Sequence, residues 1–297
     1  DEAQLVPAAE RPALLAQLSR ACPPTERAAA TRLLLKAVAE SEDGKGVPPD
    51  AALRSRVRSL LADAAATRAQ MDVVVNQAPD LLKALAPAPG PERQALATAF
   101  DTALQRLEAD TSLSRADRLG ALTSRVALAR IDQPEKSLQP TLPAALVQRL
   151  KAQVARDDQQ ITDGYERQAV ITSGAYALGL AGQWADSEAL LKANLAKSHS
   201  PYYLMSQLAS NARRQGRTDE ALGWYGQAFD KSVGPATRLQ WGAAYLGALV
   251  DLAPQDAPRI EQVARTLFSE AAQDRAAFHE RSARSLMNVP FKLADEK

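Results

Sequence analysis

The chain has 297 residues, with 36 Lys plus Arg against 35 Asp plus Glu, and its formal net charge is +1. This balance supplies no strongly positive surface for a phosphate backbone, so a nucleic-acid partner is not expected. No apolar run approaches the roughly 20 residues that span a bilayer, and no membrane span is predicted. Residues 1–4 lack the basic and apolar parts of a signal peptide, so we expect any export signal to be removed or absent.

Alanine accounts for roughly a fifth of the chain, about twice its usual share. Aromatic residues make up only 5%. Alanine is the strongest helix former, whereas the sparse β-branched and aromatic residues are those that favour strands. The composition therefore predicts an all-α protein, with a helical array in residues 1–135.

The first predicted helices are amphipathic segments separated by Pro and Gly. Pro12 lies where a helix tolerates proline, in its first turn, and Pro23–Pro24 ends that helix. A second helix covers about residues 25–41, and a break that includes Gly44 follows it. This punctuation predicts successive separate helices in the N-terminal array.

Local signals continue the helical pattern through the rest of the first half. Asp50 is a typical N-cap residue, and Ser114 followed by Asp117 is a capping pattern. Val73–Val75 has strand-like composition but is short and lies between helix formers, so we predict helix there as well. Residues 133–142 are rich in Pro, which predicts a boundary between two helical layers.

The second half contains an internal repeat. Gly182 and Gly216 are 34 residues apart, as are Pro201 and Pro235, and helical patterns flank each Gly. This arrangement resembles the tetratricopeptide repeat, a helix-turn-helix unit with small residues where its two helices cross. The resemblance implies about three stacked helix pairs with capping helices in residues 136–297, forming an α-α superhelix.

The copies follow the tetratricopeptide pattern to different degrees. In the first copy Ser187 stands at the small position between the helices and Asn194 at the second small position. A third copy begins at Leu239 and loses the repeat spacing because residues 251–258 insert an extra turn. The second copy matches best, with its turn, small and bulky positions occupied by Gly216, Ala221, Ala228 and Tyr225.

Catalytic chemistry is not indicated by any motif. His199 and His279 lie outside metal-ligand spacings, and the isolated glycines form no phosphate-binding loop. Cys22 is the single cysteine and cannot form a two-cysteine redox motif. We therefore predict no catalytic residue, no cofactor and no metal for this chain.

Aromatic residues cluster in the repeat region, where the first helix of each pair would line an inner surface. Tyr202, Tyr203, Asn211 and Arg214 fall near one face of such a helix and combine aromatic area with hydrogen-bonding and charged groups. We predict that these four residues bind an extended peptide or protein partner. The alternative is that these side chains are solvated or packed against a neighbouring helix.

Five runs of residues are distinctive: DEAQLVP from Asp1, ACPP from Ala21, YERQAVI from Tyr165, ANLAKSHSPYY from Ala193 and TRLQWG from Thr237. These runs resemble the helical C-terminal extension of exported bacterial proteins of the thioredoxin family. The resemblance implies a periplasmic location and a thioredoxin-like domain in the same parent protein, although the Cys-x-x-Cys motif has no match here. It transfers no catalytic residue.

The expected function is that of a non-catalytic helical repeat module that binds protein or peptide. Two alternatives from other classes stay open. One is a helical enzyme with a site in the groove, which would place perturbed carboxylates around His199 or His279. The other is a purely structural extension that fixes orientation or oligomeric state.

Overall fold

The computed structural model describes residues 6–41, 46–279 and 282–287. Within these ranges every regular element is helical and no strand occurs, which confirms the predicted all-α fold class. No helix of the described ranges is long and apolar enough to cross a membrane. Gly44, in a predicted break, and residues 1–5, part of one of the runs quoted above, lie outside the described residues.

The chain divides into two compact units, Asp1–Ala155 and Arg156–Lys297. The Pro-rich interval 133–142 lies inside the first unit. The last helix of the first unit, α9, continues into the first residues of the second. The helices that begin in the first unit are α1 (Arg11–Ala21), α2 (Arg27–Ala39), α3 (Ala51–Ala62), α4 (Ala64–Ala69), α5 (Met71–Asn76), α6 (Ala78–Leu85), α7 (Pro91–Ala109), α8 (Arg115–Ala129) and α9 (Ala144–Gln160).

Side-chain caps begin several of these helices where the sequence predicted them. The backbone N–H of Leu53 donates to Asp50 Oδ1 at 2.7 Å, and that of Asp117 donates to Ser114 Oγ at 3.1 Å. Each cap satisfies a backbone N–H that has no partner within its helix. Asp63 caps α4 and also ends α3.

The core of the first unit forms around α6 and α7. Phe100 and Leu104 of α7 are fully buried, as are Leu81 and Leu82 of α6. Val73–Val75 lies in α5 and is buried in the same core, which confirms the helix prediction for this segment. Full burial of one such large apolar side chain stabilises the fold by about 1.5–3 kcal/mol. Burial of the three valines therefore favours packing of α5 against this core.

The second unit contains three helix pairs. We call the first member of each pair a first helix and the other a second helix. Gly182 and Gly216 lie in the turns of the first two pairs with φ of 74° and 72°, a region that favours glycine. The pairs are α10 (Gly164–Leu180) with α11 (Trp184–Asn194), α12 (Pro201–Arg214) with α13 (Thr218–Lys231), and α14 (Pro235–Leu252) with α15 (Ala257–Ala272).

The predicted last helix, residues 276–287, differs in part from the structure. Arg275–Phe278 forms a 3₁₀ turn, and residues 282–287 are helical. Ala277 and Leu286 from these segments are buried in the core of α14 and α15. They therefore extend the apolar contact of the third pair.

Gly242 sets how closely the helices of the second unit approach. A Cβ placed on Gly242 would lie 2.8 Å from Leu267 Cδ1 of α15 and 2.9 Å from Phe229 Cε2 of α13. The contact leaves no room for a larger side chain unless its neighbours move. Ala221 and Ala228 of α13 are also buried, at 0% and 1% exposure.

Candidate functional site

Side-chain contacts at both ends of α12 and α14 place these two first helices side by side and parallel. Near their starts, the rings of Tyr203 and Trp241 meet edge-on with centroids 5.2 Å apart. Near their ends, Arg213 Nη2 lies 2.9 Å from Asp251 Oδ2. Contacts of start with start and end with end require the same direction for both helices.

The same pattern relates α10 to α12. Tyr165, in the first turn of α10, stacks on His199 just before α12, with ring centroids 5.2 Å apart. At the other end, a Cβ on Gly179 would lie 3.7 Å from Asn211 Oδ1. The three first helices thus form a parallel layer in the second unit.

Each first helix carries an uncovered row at positions i, i+4, i+7 and i+11, which fall on one side of a helix. Every residue of these rows is exposed or half-buried. We call the three rows the first-helix face. Its residues are Tyr165, Ala169, Thr172 and Tyr176 of α10, Tyr203, Gln207, Ser210 and Arg214 of α12, and Gln240, Ala244, Gly247 and Asp251 of α14.

An aromatic cluster borders the start of the first-helix face. The ring centroids of Tyr202 and Tyr203 lie 5.2 Å apart. Both rings contact Trp241, and the centroids of Tyr202 and Trp241 lie 6.0 Å apart. The Tyr202 hydroxyl donates to Ser200 Oγ at 3.0 Å, and His199 Nδ1 lies 3.1 Å from the same Oγ. Hydrogen bonds and ring contacts therefore link the starts of all three first helices.

The structure separates the four residues predicted to bind a peptide. Tyr202 and Tyr203 are half-buried in the aromatic cluster, and Arg214 is exposed at the end of α12. Asn211 is only 1% exposed, and its Nδ2 donates to Ser187 Oγ of α11 at 2.8 Å. Asn211 thus packs against a neighbouring helix, the alternative that the sequence left open for these side chains.

Two polar residues at small positions of the repeat pattern are explained by buried hydrogen bonds. Ser187 Oγ donates to the carbonyl of Ala175 at 2.7 Å while it accepts from Asn211. Asn194 Nδ2 donates to Asp158 Oδ1 at 3.0 Å, and Arg167 Nη1 donates to both Asn194 Oδ1 and Asp158 Oδ1 at 2.7 Å. Buried polar groups need such partners, so these residues hold α11 to its neighbours.

The enzyme alternative predicted perturbed carboxylates around a histidine. Among the described residues, the carboxyl groups whose pKa departs clearly from its ordinary value are Asp80 and Asp110, both in the first unit. Burial raises the pKa of Asp80, and hydrogen bonds from Ser112 lower that of Asp110. His199 lies at the aromatic cluster and His279 is exposed. This arrangement gives the enzyme alternative no support.

The described residues contain no group of three or more His, Cys, Asp and Glu side chains that could hold a metal ion. Cys22 is a free, half-buried thiol just after α1. Comparisons with protein-family models, with curated proteins and with solved structures found no match for this chain.

Proposed function

We propose that the second unit is a peptide-binding module and that the first-helix face holds an extended segment of a partner protein. The observation that carries this proposal is the parallel layer of three first helices with aromatic side chains at its start. Tyr165 is 73% exposed and Tyr176 is 44% exposed, both on α10. Aromatic side chains are more frequent at protein interaction surfaces than on the rest of a protein surface.

The length of the face fits a short extended peptide. Tyr203 and Arg214 occupy the first and last positions of the α12 row, and a rise of 1.5 Å per residue separates them by about 16 Å. An extended chain covers about 3.3 Å per residue, so about five peptide residues span this row. Tyr165 and Tyr203 supply aromatic contact area at one end of the face. Tyr176 lies towards the other end, where the Arg214 guanidinium can donate to a backbone carbonyl.

The wider setting of the module is part of the same proposal. We take the three helix pairs as tetratricopeptide-like repeats, supported by the glycine turns and the recurring positions of small residues. Attachment to a thioredoxin-like domain in the bacterial envelope is supported only by the resemblance of the residue runs. The residues encoded upstream of Asp1 test this part, and a Cys-x-x-Cys motif is expected there.

Peptide selection on the purified chain tests the binding function. A phage-displayed library of random peptides would be panned, and enriched peptides would be synthesised with a fluorescent label for anisotropy measurements. We expect Tyr176→Ala and Tyr203→Ala to weaken binding at least about tenfold, since interface aromatics often dominate affinity. Gln227→Ala, at an exposed position of the second helix α13, should bind like the parent protein.

A photo-crosslinking residue at position 203 or 227 locates the bound peptide. Labelling from position 203 alone supports the proposal. Equal labelling from both positions, or a failure to enrich any peptide, contradicts it and favours the structural extension. Circular dichroism of each variant separates lost binding from lost fold.

A further inference from the structure

We propose that the segment bound on the first-helix face is an uncharged stretch of extended peptide that carries an aromatic or large apolar side chain. The inference rests on the peptide-binding function proposed above and adds the chemistry of the partner. Three observations carry it: the pairing of the charges near the face, the polar groups on the face that can bond a peptide backbone, and the unpaired N–H of Trp241 beside the two tyrosines.

The charges near the face are neutralised within the protein. Asp251, at the end of the α14 row, forms an ion pair with Arg213 of α12. Arg167 of α10 is turned into the hydrogen-bonded group with Asp158 and Asn194. Arg214 remains exposed to water at the end of its row, where a single charge contributes little to affinity. A charged peptide would therefore lose hydration and would meet no unpaired countercharge along the face except the exposed Arg214 at its end.

The groups that remain are suited to an uncharged backbone. The middle of the face consists of Ala169, which is exposed, and of the half-buried residues Thr172, Gln207, Ser210, Ala244 and Gly247. The Thr172 hydroxyl already donates to the Gln168 carbonyl at 2.7 Å, and Gln207 Nε2 donates to Asn211 Oδ1 at 3.2 Å. The oxygens of both residues can still accept from a peptide N–H, and the Ser210 hydroxyl and the second Gln207 amide hydrogen can donate to a peptide C=O. The small side chains allow the peptide backbone to approach the helices closely.

The aromatic cluster adds a donor without an acceptor. Trp241 is 8% exposed, and its Nε1 has no hydrogen-bond partner among the described residues. The rings of Tyr202 and Tyr203 contact its indole. An unpaired buried N–H is unfavourable. Because this N–H is covered and the two tyrosine rings contact each other, a peptide carbonyl satisfies it only when the rings move apart on binding. An aromatic or apolar side chain beside that carbonyl would then pack on the tyrosine rings.

Selection from three peptide pools of equal length tests the chemistry of the partner. Variable positions contain uncharged residues in the first pool, uncharged residues with Asp and Glu in the second, and uncharged residues with Lys and Arg in the third. We expect the tightest peptides from the uncharged pool, enriched in aromatic and large apolar residues. Their Kd should change less than about twofold between about 0.05 and 0.5 M NaCl, because salt screens only charge interactions.

The inference would be overturned if the tightest peptides came from a charged pool and their Kd rose more than about tenfold over that salt range. The proposal of peptide binding itself would then still stand. The absence of any peptide that crosslinks to position 203 would overturn both. These two failures are therefore distinguishable in one experiment.

Asp251→Asn gives an independent test because it leaves Arg213 without its countercharge. We expect this variant to bind a labelled acidic peptide about 3–10-fold more tightly at low salt than the parent does. Asp219→Asn, at an exposed position of the second helix α13, serves as the matched control and should not change that Kd. An equal gain in both variants, or no gain in Asp251→Asn, would show that the ion pair does not set the preference for uncharged peptides.

Discussion

Ser187→Ala should destabilise the second unit, although alanine is the better helix former. Ser187 Oγ accepts from Asn211 Nδ2 at 2.8 Å, and both residues are buried, at 0% and 1% exposure. Water cannot replace the lost acceptor, and an unpaired buried donor costs about 1–3 kcal/mol. Alanine returns about 0.5 kcal/mol through helix propensity. We expect a net loss of about 1–2 kcal/mol in the free energy of unfolding.

A double-mutant cycle isolates the hydrogen bond. Asn211→Ala removes the amide, while Ser187 keeps its bond to the Ala175 carbonyl at 2.7 Å. In the double variant the unpaired amide no longer exists, so its cost disappears. The loss should therefore be smaller than the sum of the two single losses by about 0.5–2 kcal/mol.

Tryptophan fluorescence in a urea titration is the suitable assay. The three tryptophans of the chain, Trp184, Trp224 and Trp241, all lie in the second unit, so the signal reports its unfolding even if the first unit unfolds separately. Ser269→Ala, at an exposed position of α15, is the control and should change stability by no more than about 0.5 kcal/mol. Additive losses, or no loss in Ser187→Ala, would refute the buried pair.

Three further outcomes follow from other parts of the chain. Gly242→Ala should destabilise the second unit by about 1–2 kcal/mol through overpacking. Gly223→Ala, whose Cβ would meet no atom within 4 Å, should stabilise the same unit by about 0.5–1 kcal/mol in the same titration. Ser112→Ala should raise the pKa of Asp110 towards its ordinary value in a carboxyl NMR titration, because the Ser112 hydroxyl bond is the main cause of its lowering. The stability that this bond supplies is present at neutral pH and is lost as pH falls through the lowered pKa. If the substitution left the pKa of Asp110 unchanged, the Ser112 hydroxyl would not be the cause of its lowering. The chain alone should reduce insulin no faster than its Cys22→Ser variant, since a lone thiol has no resolving partner.

Sequence was sufficient for features that depend on neighbouring residues. Asp50 and Ser114 cap helices because the cap bond joins residues three apart, and Gly182 and Gly216 have positive φ in tight turns. The helical state of Val73–Val75 was predictable from its flanks. All of these involve short-range geometry that a pattern of residue types describes completely.

The candidate site required contacts that a pattern does not contain. The spacing of Tyr203, Asn211 and Arg214 suggested one face, but Asn211 is rotated far enough towards α11 to be covered by it. The signal that could have revealed this was Ser187, a hydroxyl at a position where the better copy has Ala221. Pairing of Ser187 with a polar residue on the next helix depends on the distance between helices, which one sequence does not supply.

Arg238 joins three helices of the second unit. Its Nε and Nη2 donate to Glu270 of α15 at 2.8 and 2.6 Å, a pairing that raises the pKa of the guanidinium. The same group lies 4.6 Å from the ring centroid of Phe229 in α13. Terminal units of a stacked array usually open first, one element at a time. Here separation of α15 breaks the ion pair of a guanidinium that also contacts α13, so loss of α15 weakens the support of the contact between α14 and α13. Backbone amides of α14 and α15 should therefore exchange with solvent as one cooperative group.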